Sequence, residues 1–202
     1  KPAWHVFKTT LPHQQPPFSQ RNWGHSWHSL CSYMGKLKPA IAYNLVRTFV
    51  PDGGKVLDPF AGVGTIPFEA SLQGKVAVGF DISPAALAIA NAKVNTQDAA
   101  RCDEVIHRLA EFIHTIAPTE EELQEVRELG FNGKIADFYE GRTLNEIILA
   151  RRYFQQHQPQ NPEDNFVFAA LLHILHGNRP YALSRRSHPI TPYQPTGEFV
   201  YK

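Results

Sequence analysis

The chain predicts an α/β fold with a parallel sheet, on three observations: two short apolar runs, a Gly-rich turn behind the first, and an aspartate closing the second. Gly54-Lys-Val-Leu57 reads as a buried parallel strand. It opens into Asp58-Pro-Phe-Ala-Gly-Val-Gly-Thr65, whose glycines allow the backbone to approach a ligand closely. Thr65 is placed to cap a helix running through Pro67 to Leu72, and Gln73-Gly74 turns the chain into the second run, Val76-Ala-Val-Gly-Phe80. That run ends in Asp81, where a carboxylate can hold two ribose hydroxyls. Strand, Gly-rich turn, helix and strand in this order make a nucleoside-cofactor site. Next, Ser83 as cap and Pro84 at the first helical position open a helix to about Val94. From about Asp98 the pattern turns helical, over roughly 104–116, 120–129, 143–156 and 163–176, with Glu120-Glu-Glu122 as an acidic first turn. No convincing third strand follows, so the sheet reads as incomplete.

The glycine pair differs from the dinucleotide fingerprint, which carries a third Gly where this chain has Pro67. Asp58 to Thr65 instead resembles the first motif of S-adenosylmethionine-dependent amino-methyltransferases acting on nucleic-acid bases, Asp-Pro-Phe-x-Gly-x-Gly-Thr. A Gly-x-Gly alone marks little more than a strand-to-helix turn; the eight-residue match together with Asp81 is far more specific. The resemblance implies a Rossmann-like methyltransferase fold, here with an incomplete sheet and a mainly helical insertion or extension. It also implies S-adenosylmethionine as cofactor, with Asp58, Phe60, Gly62, Gly64, Thr65 and Asp81 around it and Ile82 bordering the adenine.

A second part of the resemblance lies upstream, in His28-Ser-Leu-Cys-Ser-Tyr-Met-Gly-Lys-Leu-Lys-Pro39, which leads into the periodic stretch 41–49. In the family a Lys-Pro turn and a helix precede the first strand, and the turn covers the methionine half of the cofactor. Ser32, Tyr33 and Lys36 are the candidates for that end. Taken alone, the segment also reads as a solvated basic turn capping an amphipathic helix.

Three parts follow from this reading: an extended N-terminal arm over 1–27, an S-adenosylmethionine-binding α/β part over 28–98, and a helical region with a basic C-terminal loop over 99–202. The arm is rich in Pro, His, Gln and Trp and lacks sustained periodicity. Its Gln15-Pro-Pro-Phe18 resembles the family's catalytic tetrapeptide, but Gln stands where Asp, Asn or Ser belongs, and no buried strand precedes it. No other candidate for that tetrapeptide occurs.

In 202 residues, 43% of them hydrophobic, there is material for a real core. A net charge of +1 gives no global basic footprint, so a nucleic-acid surface has to be local. No apolar run approaches the ~20 residues of a membrane span. The start Lys1-Pro-Ala-Trp does not read as a signal peptide, and a cytoplasmic protein is expected. Cys31 and Cys102 show neither metal nor disulfide spacing and read as free thiols. His173 and His176 lie one helical turn apart without a third ligand nearby.

The last section, from His173 to Tyr193, resembles the segment between cofactor half and catalytic half in one group of DNA methyltransferases. Arg179, Arg185 and Arg186, interleaved with Tyr181 and His188, can bind phosphates and stack on bases; the same arginines can also pair with local carboxylates. Methyl transfer from a sulfonium to a base amine asks mainly for positioning and charge stabilisation. In the family, the missing tetrapeptide accepts hydrogen bonds from the target amine and stacks on the extruded base. The expectation is therefore the S-adenosylmethionine-binding part of a DNA methyltransferase that modifies an exocyclic amine, with no catalytic residue in this chain and little or no activity alone. DNA is the expected substrate, and a second chain or a homo-oligomer is expected to cover the open sheet edge. An RNA or small-molecule methyltransferase, or a noncatalytic nucleoside-binding module, stays open beside it.

Overall fold

The computed structural model describes residues 2–31, 33, 35–130 and 134–175. Ser32, Arg179, Tyr181, Arg185, Arg186 and His188, all named above, lie outside the described residues. The chain divides into two compact units, Lys1–Thr96 and Gln97–Lys202. Together they form a helix-rich α/β molecule with a small parallel sheet.

The first unit opens with helix α1, Pro2–Thr10, which corrects the expectation of an extended arm. Its order is tertiary in origin. Trp4 and Phe7, one turn apart, bring their rings to 6.0 and 5.6 Å from Phe49 of α2, which spans Pro39–Phe49. Pro39 starts α2, and Ala40, Ala42 and Val46 form its buried face against the next helix. Strand β1 runs Lys55–Asp58, helix α3 Thr65–Leu72, strand β2 Val76–Gly79 and helix α4 Pro84–Val94. The strands pair in parallel with Lys55 opposite Val76 and Asp58 opposite Gly79.

One sheet face carries α3. Gly79 turns toward it, where a Cβ would lie 2.8 Å from Ala61 Cβ and 3.2 Å from Pro67 Cγ. The close helix-on-strand approach that a third glycine gives in the dinucleotide turn comes here from a glycine on β2. The other face is open. Leu57, Val76, Val78 and Phe80 are 67, 57, 47 and 59% exposed, so the two runs are not the buried strands their composition predicts. Among the described residues of this unit, helices cover one side of the sheet only, and alternate residues of each strand are left exposed.

The second unit holds α5 (Ala99–Thr115), α6 (Glu120–Glu128), α7 (Gly141–Gln156) and α8 (Pro162–Leu175). Val105, Leu109, Tyr153, Phe154 and Val167 centre its core. Asp98 caps α5 through the Arg101 N–H at 3.0 Å. Thr119 and Glu122 form a capping box at α6, and the Glu140 carboxylate accepts from the Arg142 and Thr143 N–H groups at α7. No described helix is long and apolar enough to cross a membrane.

Candidate functional site

Both strands end on the same side, and the turns that leave them are tied together. Asp58 Oδ1 accepts from the Phe60 N–H at 3.1 Å, which bends the chain directly after β1. The Phe80 N–H donates to Asp58 O and the Ala61 N–H to Phe80 O, both at 2.9 Å, so the pairing continues past the formal strand ends. Gly62 and Gly64 take φ of 51 and 73°, the left-handed region that suits glycine. At Gly64 a second requirement applies, since a Cβ there would lie 2.7 Å from Ala90 Cβ of α4. Gly64, not Thr65, occupies the cap position of α3, and no side chain caps that helix. The expected Thr65 cap fails because the left-handed turn at Gly64 carries Thr65 into the first helical turn, where it is buried.

Asp81 is the joint between the two turns. Its Oδ2 accepts from the Gly62 N–H at 2.8 Å and its Oδ1 from the Ser83 N–H at 2.9 Å. Each oxygen keeps acceptor capacity for a further donor. Ser83 Oγ then accepts from the Ala86 N–H and caps α4.

Beside this joint lies a cavity of about 150 Å³. Tyr33, Lys36, Asp58, Phe60, Gly62 and Thr65 line it, which brings together two groups of residues 22 or more positions apart in sequence. Gly64, Asp81 and Ile82 do not line it; the Ile82 side chain stands wholly in solvent, and Phe60 is 89% exposed at the rim.

Behind the glycine turn sits a polar network that the sequence did not announce as a unit. Lys93 of α4 is buried and donates from Nζ to Val63 O at 2.8 Å. Lys36 Nζ donates to His28 O, and His28 Nε2 meets Glu69 Oε1 of α3 at 2.7 Å, both side chains buried. Burial first, and then the neighbouring Lys36 charge, pull the Lys93 ammonium down to about 8. Lys36 is lowered chiefly by burial, and burial pushes the Cys31 thiol up to about 11 against the opposing pull of the two lysines. The available signal was local: Lys93 is the one charged residue of α4, and Glu69 that of α3.

The model of the DNA methylase family matches residues 19–92. This part of the chain is similar to the DNA methylase family. Neither the curated proteins nor the solved structures give a match. The matched segment spans α2, β1, α3 and β2 and reaches into α4, so it contains the glycine turn, Asp81 and the cavity between that turn and residues 33–37. Methyltransferase activity is what this family implies.

Proposed function

We propose that residues 28–98 bind S-adenosylmethionine and that the chain is the cofactor-binding part of an enzyme methylating an exocyclic amine of a DNA base. The observation that carries this is Asp81, held by its bonds to the Gly62 and Ser83 N–H groups at the carboxyl ends of two parallel strands, where such ligands bind. The donor set fits the cofactor. Lys36 and Tyr33 at one wall suit a carboxylate, and Asp81, at the strand ends outside the cavity lining, retains acceptors for ribose hydroxyls. Phe60 and Ile82, both apolar and exposed, offer flanks for an adenine ring. A volume of about 150 Å³ encloses part of such a molecule, consistent with the methionine end lying inside and the nucleoside along the strand ends.

When bound, the cofactor supplies an electrophilic methyl group on a sulfonium. The chain's own residues bind and orient. The glycine turn admits the ligand to the backbone, Lys93 holds the turn by its carbonyl, and Lys36 adds positive charge at the wall. None of them takes a proton from the amine. The tetrapeptide that would receive the amine has no full match in the sequence, and Gln15-Pro-Pro-Phe18 leaves α1 in a turn, with no strand before it. We therefore assign the amine-binding half to another polypeptide segment and expect no methylation by these 202 residues alone.

Calorimetry with S-adenosylmethionine and S-adenosylhomocysteine tests the site. Wild type binds both, and Asp81→Ala weakens binding by about 2 kcal/mol, the scale of lost charge-assisted hydrogen bonds. Absence of binding by wild type removes the cofactor reading. Methylation of DNA by the chain alone removes the assignment of the second half.

A further inference from the structure

A larger cavity, about 770 Å³, opens between residues 13–23 of the N-terminal segment and the turn at residues 35–41. Gly35, Lys36 and Leu37 wall both this cavity and the smaller one beside Asp81. Arg21, Lys36 and Lys38 line it, and no carboxylate does among the described residues. Phe18 and Trp23 supply aromatic surface. Both rings are fixed against Tyr43 of α2, at centroid separations of 5.3 and 5.0 Å, and they meet each other edge-on at 5.0 Å. His13 stands on the same wall.

Cations without carboxylates, next to rings held rigid by packing, are the composition that binds single-stranded nucleic acid, in which phosphates pair with the cations and a base stacks on an aromatic face. The volume falls in the range of small-molecule and nucleotide sites, about 300–1,000 Å³. An apolar ligand would leave the Arg21 and Lys38 charges beside it without an anionic partner. We propose that this cavity holds one nucleotide of a single DNA strand, next to the nucleotide whose amine receives the methyl group. The shared wall at Gly35–Leu37 places the two ligands one turn apart. A chain of net charge +1 thereby acquires a local basic site. The proposal rests on the reading of the smaller cavity as the methyl donor's.

Fluorescence anisotropy of the full chain with a labelled single-stranded oligodeoxynucleotide over a salt series tests it. Arg21 and Lys38 are exposed, so Arg21→Ala/Lys38→Ala keeps the fold. The double variant loses about tenfold in affinity, and its salt slope falls by about 1.4, the change for two phosphate contacts on a single strand. The oligonucleotide also quenches tryptophan emission in wild type, less so in Trp23→Phe. Unchanged affinity and slope in the double variant overturn the proposal. So does competition between the oligonucleotide and S-adenosylhomocysteine, which would make the two cavities one site. Tighter binding of RNA of the same sequence overturns the assignment to DNA. DNA binding with these dependences in a chain that fails to bind S-adenosylhomocysteine keeps the larger cavity's role and removes the reading of the smaller one.

Discussion

Lys93 places an ammonium against a carbonyl of the glycine turn, in surroundings that disfavour its charge. Its folded value of about 8 lies below the ordinary 10.5, so between these pH values the unfolded chain binds more protons and stability rises with pH. Cys31 acts in the opposite sense. Its folded value of about 11 lies above the ordinary 9.0, so its contribution is complete below pH 9 and is lost as pH rises toward 11. Lys36, lowered in the same direction as Lys93, adds to the rise. Urea midpoints of wild type should therefore climb from pH 8 to 9 and flatten above it. Lys93→Met should remove most of the climb, on the order of 1 kcal/mol over that unit of pH. A flat profile in wild type contradicts the buried charge. Gly64→Ala is the second residue-scale prediction. The left-handed φ and the collision with Ala90 Cβ together should cost about 2–4 kcal/mol, read as a lower urea midpoint with reduced S-adenosylhomocysteine binding. Gly64 stood out in the sequence as part of the motif, whereas its contact with α4 did not, because that contact joins residues 26 positions apart.

At the scale of elements, helices with local punctuation were legible. Ser83 and Pro84 fixed the start of α4, and the acidic turn at Glu120 marked α6, whose first helical residue is Glu120. Elements fixed by distant partners were not legible. α1 needs Phe49, and the buried pair of His28 and Glu69 joins residues 41 apart with no pattern between them. α6 also shows how a local cap and a distant partner combine. Its Thr119 and Glu122 cap the helix, and Glu122 is also bonded by Arg152 of α7. The Arg152 guanidinium and the Thr119 N–H hold the Glu122 carboxyl down to about 2, against the desolvation that opposes them. A depressed carboxylate contributes stability that is present above pH 4.5 and lost as pH falls toward 2. With its side chain 23% exposed, solvent screening limits the contribution to about 1–2 kcal/mol. Arg152→Ala should lower the urea midpoint of the second unit at pH 7 by that amount and much less at pH 2.5. Thr119→Ala should cost about 1 kcal/mol at both. Equal losses for Arg152→Ala at the two pH values would show that the pair carries no charge-dependent stability.

For the whole molecule, the sheet decides what the chain can do alone. Leu57, Val76, Val78 and Phe80 place four apolar side chains on one open face, and the register that pairs Leu57 with Val78 sets them side by side. Sheets in α/β proteins are normally covered on both faces, so this surface resembles a core without its second layer. The two strands also leave backbone donors and acceptors unpaired at their outer edges, a template for further pairing. Covering the face removes apolar area from water at about 25 cal/mol per Å², so a few hundred Å² would give several kcal/mol toward association. The same surface is where the amine-binding half assigned above can dock. Sedimentation of the chain should accordingly show self-association that grows with concentration. Val78→Glu/Phe80→Glu places two carboxylates on the open face, far from the packing of α3, and should shift the protein to monomer while its helical circular dichroism is kept. Because the residues proposed to hold the cofactor lie at the strand ends and on the α3 side, S-adenosylhomocysteine binding should survive this change. A wild-type chain that stays monomeric across the range shows that the exposed face is tolerated without a cover. Loss of cofactor binding in the double variant shows instead that the face and the site are one structural unit.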